Sequence, residues 1–150
     1  MHISLATTDK DIADCLHLRR AVFIDEQGVS EAEEVDGEDN ACSHVLARDN
    51  GRPVGAARFH YKDGTAKIQR VCVPKDHRGK GYGACLMSFM IDHIRQDGAA
   101  HRIELGAQTH AIPFYAALGF TPYGPDYLDA AIPHRDMELR LARPHEGPTP

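Results

Sequence analysis

The chain has no apolar segment approaching the roughly 20 residues that a membrane-spanning helix needs, and its amino terminus lacks the pattern of a cleavable signal peptide. Positive charge is also scarce, since 17 Lys and Arg residues face 22 Asp and Glu residues for a net charge of −5. Nucleic-acid binding requires clustered positive charge. We therefore expect a cytoplasmic protein that binds neither a membrane nor a nucleic acid.

Disulfide and metal patterns are missing as well. The four cysteines, at positions 15, 42, 72 and 85, show no C-x-x-C spacing, and each lies in or beside an apolar segment. They are expected to be reduced thiols. Among the ten histidines, no pair stands four residues apart on a predicted helix together with a carboxylate, as a zinc site of that kind requires. No metal is predicted.

The length and composition are those of one globular domain. With 150 residues, of which 42% are apolar and 26% charged, the chain can bury a single hydrophobic core. We assign residues 1–142 to this domain and residues 143–150, which are rich in proline, to a carboxyl-terminal tail.

Periodicity and turn residues predict the element order β-α-(α)-β-β-β-α-β-α-β-β. Thr8 can cap a first helix that ends near Glu26, and Asn50-Gly51 and Asp63-Gly64 indicate tight hairpin turns. A crossover makes the strand after the long helix parallel to the strand before it. The fold class is therefore α/β (α+β), with three layers around a mixed, mostly antiparallel sheet. Strands are predicted at residues 2–6, 43–48, 54–61, 65–73, 102–107, 120–127 and 136–142, and later helices at residues 82–96 and 111–118.

The most informative segment, residues 71–87, runs from an apolar strand through an arginine and glycine turn directly into an amphipathic helix. Gly79, Gly81 and Gly83 stand at alternate positions, where they let the backbone turn tightly and approach a ligand. The following helix adds N–H groups without partners and the positive end of its dipole. The segment therefore indicates a site for a diphosphate.

Two other glycine-rich loops fit this segment less well. A nucleoside-triphosphate loop requires glycine where Pro74 stands, and Ser or Thr directly after Lys80. A dinucleotide fingerprint matches residues 79–84, with Glu104 at a suitable distance for a ribose contact. That fingerprint begins at the end of its strand, whereas five residues separate strand and loop here. A NAD-dependent oxidoreductase is therefore the weaker alternative.

The loop Arg78-Gly79-Lys80-Gly81-Tyr82-Gly83 resembles the acyl-coenzyme A loop of the GNAT N-acetyltransferase superfamily, whose signature is Arg/Gln-x-x-Gly-x-Gly/Ala. A second landmark of the superfamily, Phe/Leu-Tyr-x-x-Leu-Gly-Phe, is matched by Phe114-Tyr115-Ala116-Ala117-Leu118-Gly119-Phe120. The chain is also similar to the ElaA-like branch in Phe23-Ile24-Asp25-Glu26-Gln27-Gly28-Val29, and further in Glu34, Asp36, Asp39, His44 and Ile132-Pro133-His134. The resemblance covers nearly the whole chain and implies acetyl-CoA as the co-substrate.

The resemblance also implies which residues bind the coenzyme. Backbone groups of Val71, Cys72 and Val73 would bind pantetheine. Arg78 would bind the pyrophosphate together with the N–H groups of the helix start. Gln108 stands where many members carry an asparagine that contacts the coenzyme, so the amide is retained on a longer side chain. The residues whose backbone N–H groups would bind the pyrophosphate are Gly79, Lys80, Gly81, Tyr82, Gly83 and Ala84.

Acetyl transfer from a thioester to an amine requires a base for the amine, donors for the carbonyl oxygen and an acid for the leaving thiolate. The resemblance assigns the acid to Tyr115, since a phenol with a pKa of about 10 can donate a proton to sulfur at neutral pH. The alternative for Tyr115 is a packing aromatic. A backbone N–H, at Val71, is expected to bind the oxyanion.

Several residues are candidates for the base. Glu26 and His44 come first because the resemblance to the ElaA-like branch includes both and each can accept a proton. Glu104 and His134 follow. The structural alternatives are a hydrogen-bonding group at a helix end for Glu26, a satisfied half-buried imidazole for His44 and an edge charge for Glu104. A chain of water molecules could replace all four.

We expect an N-acetyltransferase that transfers an acetyl group from acetyl-CoA to a primary amine of a small-molecule acceptor by direct attack, as a monomer or homodimer. A route through the thiol of Cys72 or Cys85 is the alternative mechanism, although nothing basic adjoins either cysteine in the sequence. An acyl-CoA-binding sensor without turnover is the alternative function.

The segment of residues 31–39, here called the acidic segment, carries six carboxylates. We consider that it faces the acceptor and attracts cationic amines. The alternative is a solvated, mobile loop, as blocks of like charge often are. The six residues are Glu31, Glu33, Glu34, Asp36, Glu38 and Asp39.

Overall fold

The computed structural model describes residues 1–141, so that residue 142 and the predicted tail at residues 143–150 lie outside the described residues. The chain divides into two compact units. The first comprises Met1–His60 and Gln69–Met90, and the second comprises Tyr61–Ile68 and the chain from Ile91 onward.

Seven strands form one sheet in the order β1-β2-β3-β4-β5-β7-β6. Strands β4 and β5 are parallel, with Thr65 opposite Arg102, whereas β1 with β2, β2 with β3, β5 with β7 and β6 with β7 are antiparallel. The predicted mixed α/β fold class is confirmed. The strands are β1 His2–Leu5, β2 Ser43–Asp49, β3 Arg52–Lys62, β4 Thr65–Cys72, β5 Arg102–Gln108, β6 Thr121–Asp129 and β7 Ile132–Arg140.

The helices follow the predicted order. Thr8 caps the first helix, as predicted, because its side chain accepts a hydrogen bond from the Asp11 N–H. This helix continues to Glu26 as a π-helix, which the sequence did not predict. The helices are α1 Asp9–Arg19, the π-helix Arg20–Glu26, α2 Glu31–Glu34, α3 Tyr82–Asp97 and α4 Ile112–Ala117.

In the first unit, helices cover both faces of the sheet. Helix α1 packs Cys15 and Leu18 into a core that contains Ala56 of β3. On the neighbouring residue, Gly55, an added Cβ would lie 2.7 Å from Leu86 of α3. Because successive strand residues point to opposite faces, α1 and the start of α3 lie on opposite sides of β3. This is the predicted three-layer arrangement.

In the second unit, the last hairpin differs from the prediction. Strand β7 begins at Ile132 rather than at residue 136, because the chain turns already at Ala130 and Ala131. Both alanines are in the left-handed region, with φ of 51° and 61°. Such a turn usually contains asparagine or glycine, so the sequence offered no signal for it. His134 consequently lies within β7.

Candidate active site

The glycine loop forms a helix start with open space in front of it. Gly79 and Gly81 have φ of 79° and 83°, and a Cβ added to either would meet no atom within 4 Å. The first bond of helix α3 runs from the Cys85 N–H to the Gly81 carbonyl over 3.1 Å. The N–H groups at positions 82–84 come before that bond and have no acceptor one helical turn back. The loop can therefore bind an anion with its backbone.

The side chain of Tyr82 anchors this helix start. It is buried, with 8% of its surface exposed, and its hydroxyl donates a hydrogen bond to Asp49 at the end of β2. This hydrogen bond raises the pKa of Tyr82. The side chain of Tyr82 is thus engaged within the protein, and the role of its backbone N–H in coenzyme binding stays a prediction.

Arg78, which directly precedes Gly79, is held by two partners. Its Nε donates to the Val73 carbonyl over 2.8 Å, and Nη1 and Nη2 donate to the two carboxylate oxygens of Glu26 over 2.7 and 2.6 Å. The structure thus brings together two residues for which the sequence predicted separate roles. The hydrogen bonds from Arg78 lower the pKa of Glu26. About a third of the Glu26 side chain is exposed.

The segment predicted to bind pantetheine comprises the last two residues of β4 and Val73, and it leads into this loop. Val71 and Val73 are half-buried, whereas Cys72 is 3% exposed and belongs to the core under α1. Burial raises the pKa of the Cys72 thiol to about 12. At neutral pH this thiol is protonated and is a poor nucleophile.

His44, the second predicted base, is enclosed by the protein. It is 5% exposed, and its Nε2 lies 3.0 Å from the Asp39 carbonyl. Because a carbonyl only accepts, Nε2 must carry the proton. Nδ1 is buried and has no hydrogen-bond partner among the described residues. An imidazole so enclosed is poorly placed to meet an acceptor amine.

Three of the six carboxylates of the acidic segment are bound by buried arginines. Arg19 and Arg58, both almost fully buried, bind its carboxylates at Asp39 over 2.6 and 2.8 Å. Arg19 also binds Glu34 at 2.8 Å, and Arg58 binds Asp36 at 2.7 Å. These three carboxylates therefore do not belong to a solvated, mobile loop, whereas Glu31, Glu33 and Glu38 are exposed. That the segment faces the acceptor stays a prediction.

The sequence did contain a signal for these arginines. Arg19 lies on the apolar stripe of the first helix, and Arg58 interrupts the apolar strand β3. A charged residue at a buried position needs a partner of opposite charge. The run of carboxylates supplies it.

In the second unit, the predicted acid Tyr115 lies on α4 between two aromatic rings. Its ring centroid is 5.0 Å from that of Phe114 and 6.1 Å from that of Phe120, both in edge-on geometry. The side chain is half-buried. Gln108 ends β5, and its Oε1 is 2.8 Å from Nε2 of His110.

Glu104 and His134 already have partners within the second unit. Arg102 binds Glu104 over 3.0 Å. His134 has Nδ1 2.7 Å from the Ile132 carbonyl, and its ring stacks on Tyr127 at 5.9 Å. These contacts favour structural roles for both residues.

Among residues 1–141, no three His, Cys, Asp or Glu side chains are grouped as metal ligands. No helix in the same residues is long and apolar enough to cross a membrane.

A glycine loop that leads into a helix start, within a seven-stranded mixed α/β sheet, is the architecture of an acyl-CoA N-acyltransferase. Residues 7–141 match the family described as acetyltransferase (GNAT) domain. The uncharacterized N-acetyltransferase YjcF of Bacillus subtilis is 38% identical over 138 residues, which cover 91% of this chain and 98% of YjcF. The chain therefore belongs to the GNAT acetyltransferase family.

Two solved structures are similar to this chain over nearly its whole length. An acyl-CoA N-acyltransferase from Pseudomonas aeruginosa has a TM-score of 0.82 and 27% identity, and the match covers 92% of this chain and 99% of that one. ElaA from Escherichia coli has a TM-score of 0.81 and 29% identity, with 91% and 97% covered. The predicted resemblance to the ElaA-like branch is thereby confirmed.

Proposed function

We propose that this protein transfers the acetyl group of acetyl-CoA to a primary amine of a small molecule, by direct attack and in the cytoplasm. The observation that carries the proposal is the helix start after Gly79 and Gly81, with open space beside both glycines and with Arg78 directly before them in the chain. A diphosphate suits this site because it can accept hydrogen bonds from several backbone N–H groups and from a guanidinium at once.

The coenzyme would be bound mainly through backbone groups. The N–H groups of residues 79–84 and Arg78 bind the pyrophosphate in this proposal, the backbone of Val71 to Val73 binds pantetheine, and Gln108 contributes an amide. Arg78 keeps two N–H groups beyond the three that bind Val73 and Glu26. It can therefore reach a phosphate oxygen without first releasing its partners.

Tyr115 is proposed as the acid that protonates the leaving thiolate. The edge-on contacts with Phe114 and Phe120 restrict its ring. A restricted ring keeps its hydroxyl in one direction, which a proton donor needs.

For the base we propose Glu26 rather than His44. Glu26 is partly exposed and His44 is enclosed, and this difference in exposure supports Glu26. Arg78 lowers the pKa of Glu26, so this carboxylate is ionised and can accept a proton at neutral pH.

Direct attack is proposed because a route through a thiol needs a thiolate. Cys72 is buried and its pKa is raised to about 12. Cys85 is half-buried on α3, and none of the described contacts gives it a basic partner.

The proposal is tested by coenzyme A titration calorimetry and by release of free thiol from acetyl-CoA with a panel of amines. We expect binding of coenzyme A, weakened by about 1.5–3 kcal/mol in Arg78→Ala, and thiol release that depends on an amine. Binding without thiol release across amino sugars, amino acids and polyamines would indicate a sensor. Binding of NAD in place of coenzyme A would refute the proposal.

A further inference from the structure

Strand β4 is irregular at Arg70, directly before the segment proposed to bind pantetheine. Arg70 has φ of 59°, in the left-handed region. Its neighbour Gln69 accepts a hydrogen bond from Arg58 over 3.0 Å, and Arg70 itself binds the acidic segment, to which Arg58 also binds. Consecutive side chains of a regular strand point to opposite faces. Here the side chains of Gln69 and Arg70 both reach the same group of residues, as at a β-bulge.

This backbone conformation is unfavourable for arginine, so the surrounding structure must hold it in place. The contacts of its side chain provide that restraint. Arg70 Nε lies 2.7 Å from Oε2 of Glu34, and Nη2 donates to the carbonyls of Glu33 and Glu34, each over 3.2 Å. The Asp36 carboxylate lies 3.4 Å from the same nitrogen. All of these partners belong to the acidic segment.

The acidic segment is itself fixed from its other side. Glu34 is 3% exposed and accepts a hydrogen bond from Arg19 Nε over 2.8 Å. Asp36 binds Arg58 with both oxygens, over 2.7 and 3.2 Å. The partners of Arg70 are therefore bound to two buried arginines that project from α1 and β3. Movement of the bulge would break several charged hydrogen bonds at once.

We propose that Arg70 is a positioning residue for acetyl transfer, and that the acidic segment serves to hold the bulge through it. The bulge sets the direction of the peptide group between Arg70 and Val71, whose N–H would bind the oxyanion. The inference rests on the proposed function. It assigns the carboxylates to support of the backbone, not to recognition of the acceptor.

A donor that stabilises the oxyanion acts on the transition state more than on the bound thioester. Its displacement should therefore lower kcat while the KM for acetyl-CoA stays nearly unchanged. We expect kcat to fall on the order of 10²-fold in Arg70→Gly. Glycine adopts a positive φ without strain, so this variant removes the ion pairs and keeps the bulge accessible. Arg70→Lys, which retains the charge, should recover part of the loss.

The matched control is Arg20→Ala. Arg20 also pairs with the acidic segment, at Glu31, but both side chains are exposed and neither contacts the bulge. This variant should keep the kcat of the wild type. Wild-type kcat in Arg70→Gly would overturn the inference. A joint decline of kcat, coenzyme A affinity and melting temperature would also overturn it, since that pattern indicates a general loss of structure.

Hydrogen exchange separates this inference from the proposed function. After correction for intrinsic rates, amides of residues 68–74 should exchange about tenfold faster in Arg70→Gly than in the wild type, while those of α3 stay protected. Unchanged exchange in residues 68–74 would contradict the role of Arg70 even if no amine were acetylated. A wild type that binds coenzyme A but acetylates no amine would contradict only the proposed function.

Discussion

At the scale of single residues, the pairing of Glu26 with Arg78 makes a prediction about the base. Because hydrogen bonds from Arg78 lower the pKa of Glu26, this carboxylate is ionised between about pH 6 and pH 9 while the pair is intact. If Glu26 is the base, Glu26→Gln lowers kcat on the order of 10²-fold or more across that range. The part of the pH profile in which the rate rises with pH should keep its midpoint in Glu26→Gln, because it then reports deprotonation of the acceptor amine.

The pH profile of kcat, and the KM for acetyl-CoA, should be measured for Glu26→Gln together with Glu31→Gln. Glu31 also pairs with an arginine of the π-helix, Arg20, but is more exposed, so its variant should behave as the wild type. A rise in KM with unchanged kcat would mean that Glu26 only orients Arg78.

Tyr115 makes a second prediction at this scale. Tyr115→Phe keeps the aromatic packing with Phe114 and Phe120 and removes the hydroxyl. Turnover should fall by roughly 10²–10⁴-fold, with little change in the calorimetric affinity for coenzyme A.

The control for Tyr115→Phe is the same deletion at Tyr123, whose hydroxyl accepts a hydrogen bond from Arg102 over 3.2 Å in the same unit. Equal turnover in the two variants would make Tyr115 a packing residue.

At the scale of elements, helix α3 offers a test of the glycine loop. It starts just after Gly81 and ends just before Gly98, and both glycines have positive φ, of 83° and 74°. At neither would an added Cβ meet an atom within 4 Å. Valine should therefore introduce a similar backbone strain at each end. Only Gly81→Val should also abolish coenzyme A binding, because only that end has N–H groups for the pyrophosphate.

Melting temperature and coenzyme A calorimetry would be compared between Gly81→Val and Gly98→Val. We expect the melting temperature to fall by a similar amount in both variants. Only Gly81→Val should lose coenzyme A binding. Full affinity in a folded Gly81→Val would remove the loop from the coenzyme site.

The acidic segment makes a prediction about stability in acid. The Arg58 guanidinium holds the pKa of Asp36 well below its ordinary value. A carboxyl whose pKa is lowered by folding stabilises the protein above its unfolded pKa of about 3.9, and this contribution is lost as the pH falls toward the folded pKa. Asp36→Asn should therefore lower the free energy of unfolding at pH 7 by about 1.5–3 kcal/mol.

Urea denaturation between about pH 2 and pH 7 should also show a shallower acid dependence in Asp36→Asn. Asp92→Asn is the control, since Asp92 is exposed and lies 3.6 Å from Arg95. Equal acid profiles in the wild type and Asp36→Asn would contradict the stabilising role of this ion pair.

The elements also show how far local chemistry predicts this structure. Asn50-Gly51 and Asp63-Gly64 predict hairpin turns because asparagine, aspartate and glycine tolerate the positive φ observed there. Ala130 and Ala131 adopt the same conformation without that preference, so the packing of β6 on β7 must impose it. The π-helix at Arg20–Glu26 likewise had no sequence signal, although it carries Glu26.

The same limit applies to the candidate site. The glycine loop could be predicted because its function depends on backbone conformation, which glycine reveals. The contacts between the acidic segment and Arg70 could not, because they join residues 34 and 70 through space. Periodicity reports burial, but it does not identify the partner of a buried charge.

At the scale of the whole molecule, three elements continue from one compact unit into the other. Strand β3 passes from His60 to Tyr61, β4 from Ile68 to Gln69, and α3 from Met90 to Ile91. Unfolding of either unit would therefore disrupt elements that also belong to the other. We therefore expect residues 1–142 to unfold as a single domain in one transition.

Coenzyme A should raise the melting temperature of that transition and leave it a single transition. A ligand at about 100 times its Kd stabilises the folded state by about 2.7 kcal/mol, which for a chain of this size raises the melting temperature by roughly 5–10 °C. Scanning calorimetry with coenzyme A, and with NAD at the same concentration, would measure this. We expect one peak that moves with coenzyme A alone and moves less in Arg78→Ala. Two resolved peaks, of which coenzyme A moves only one, would mean that the units fold separately, and an equal shift with NAD would remove the specificity for coenzyme A.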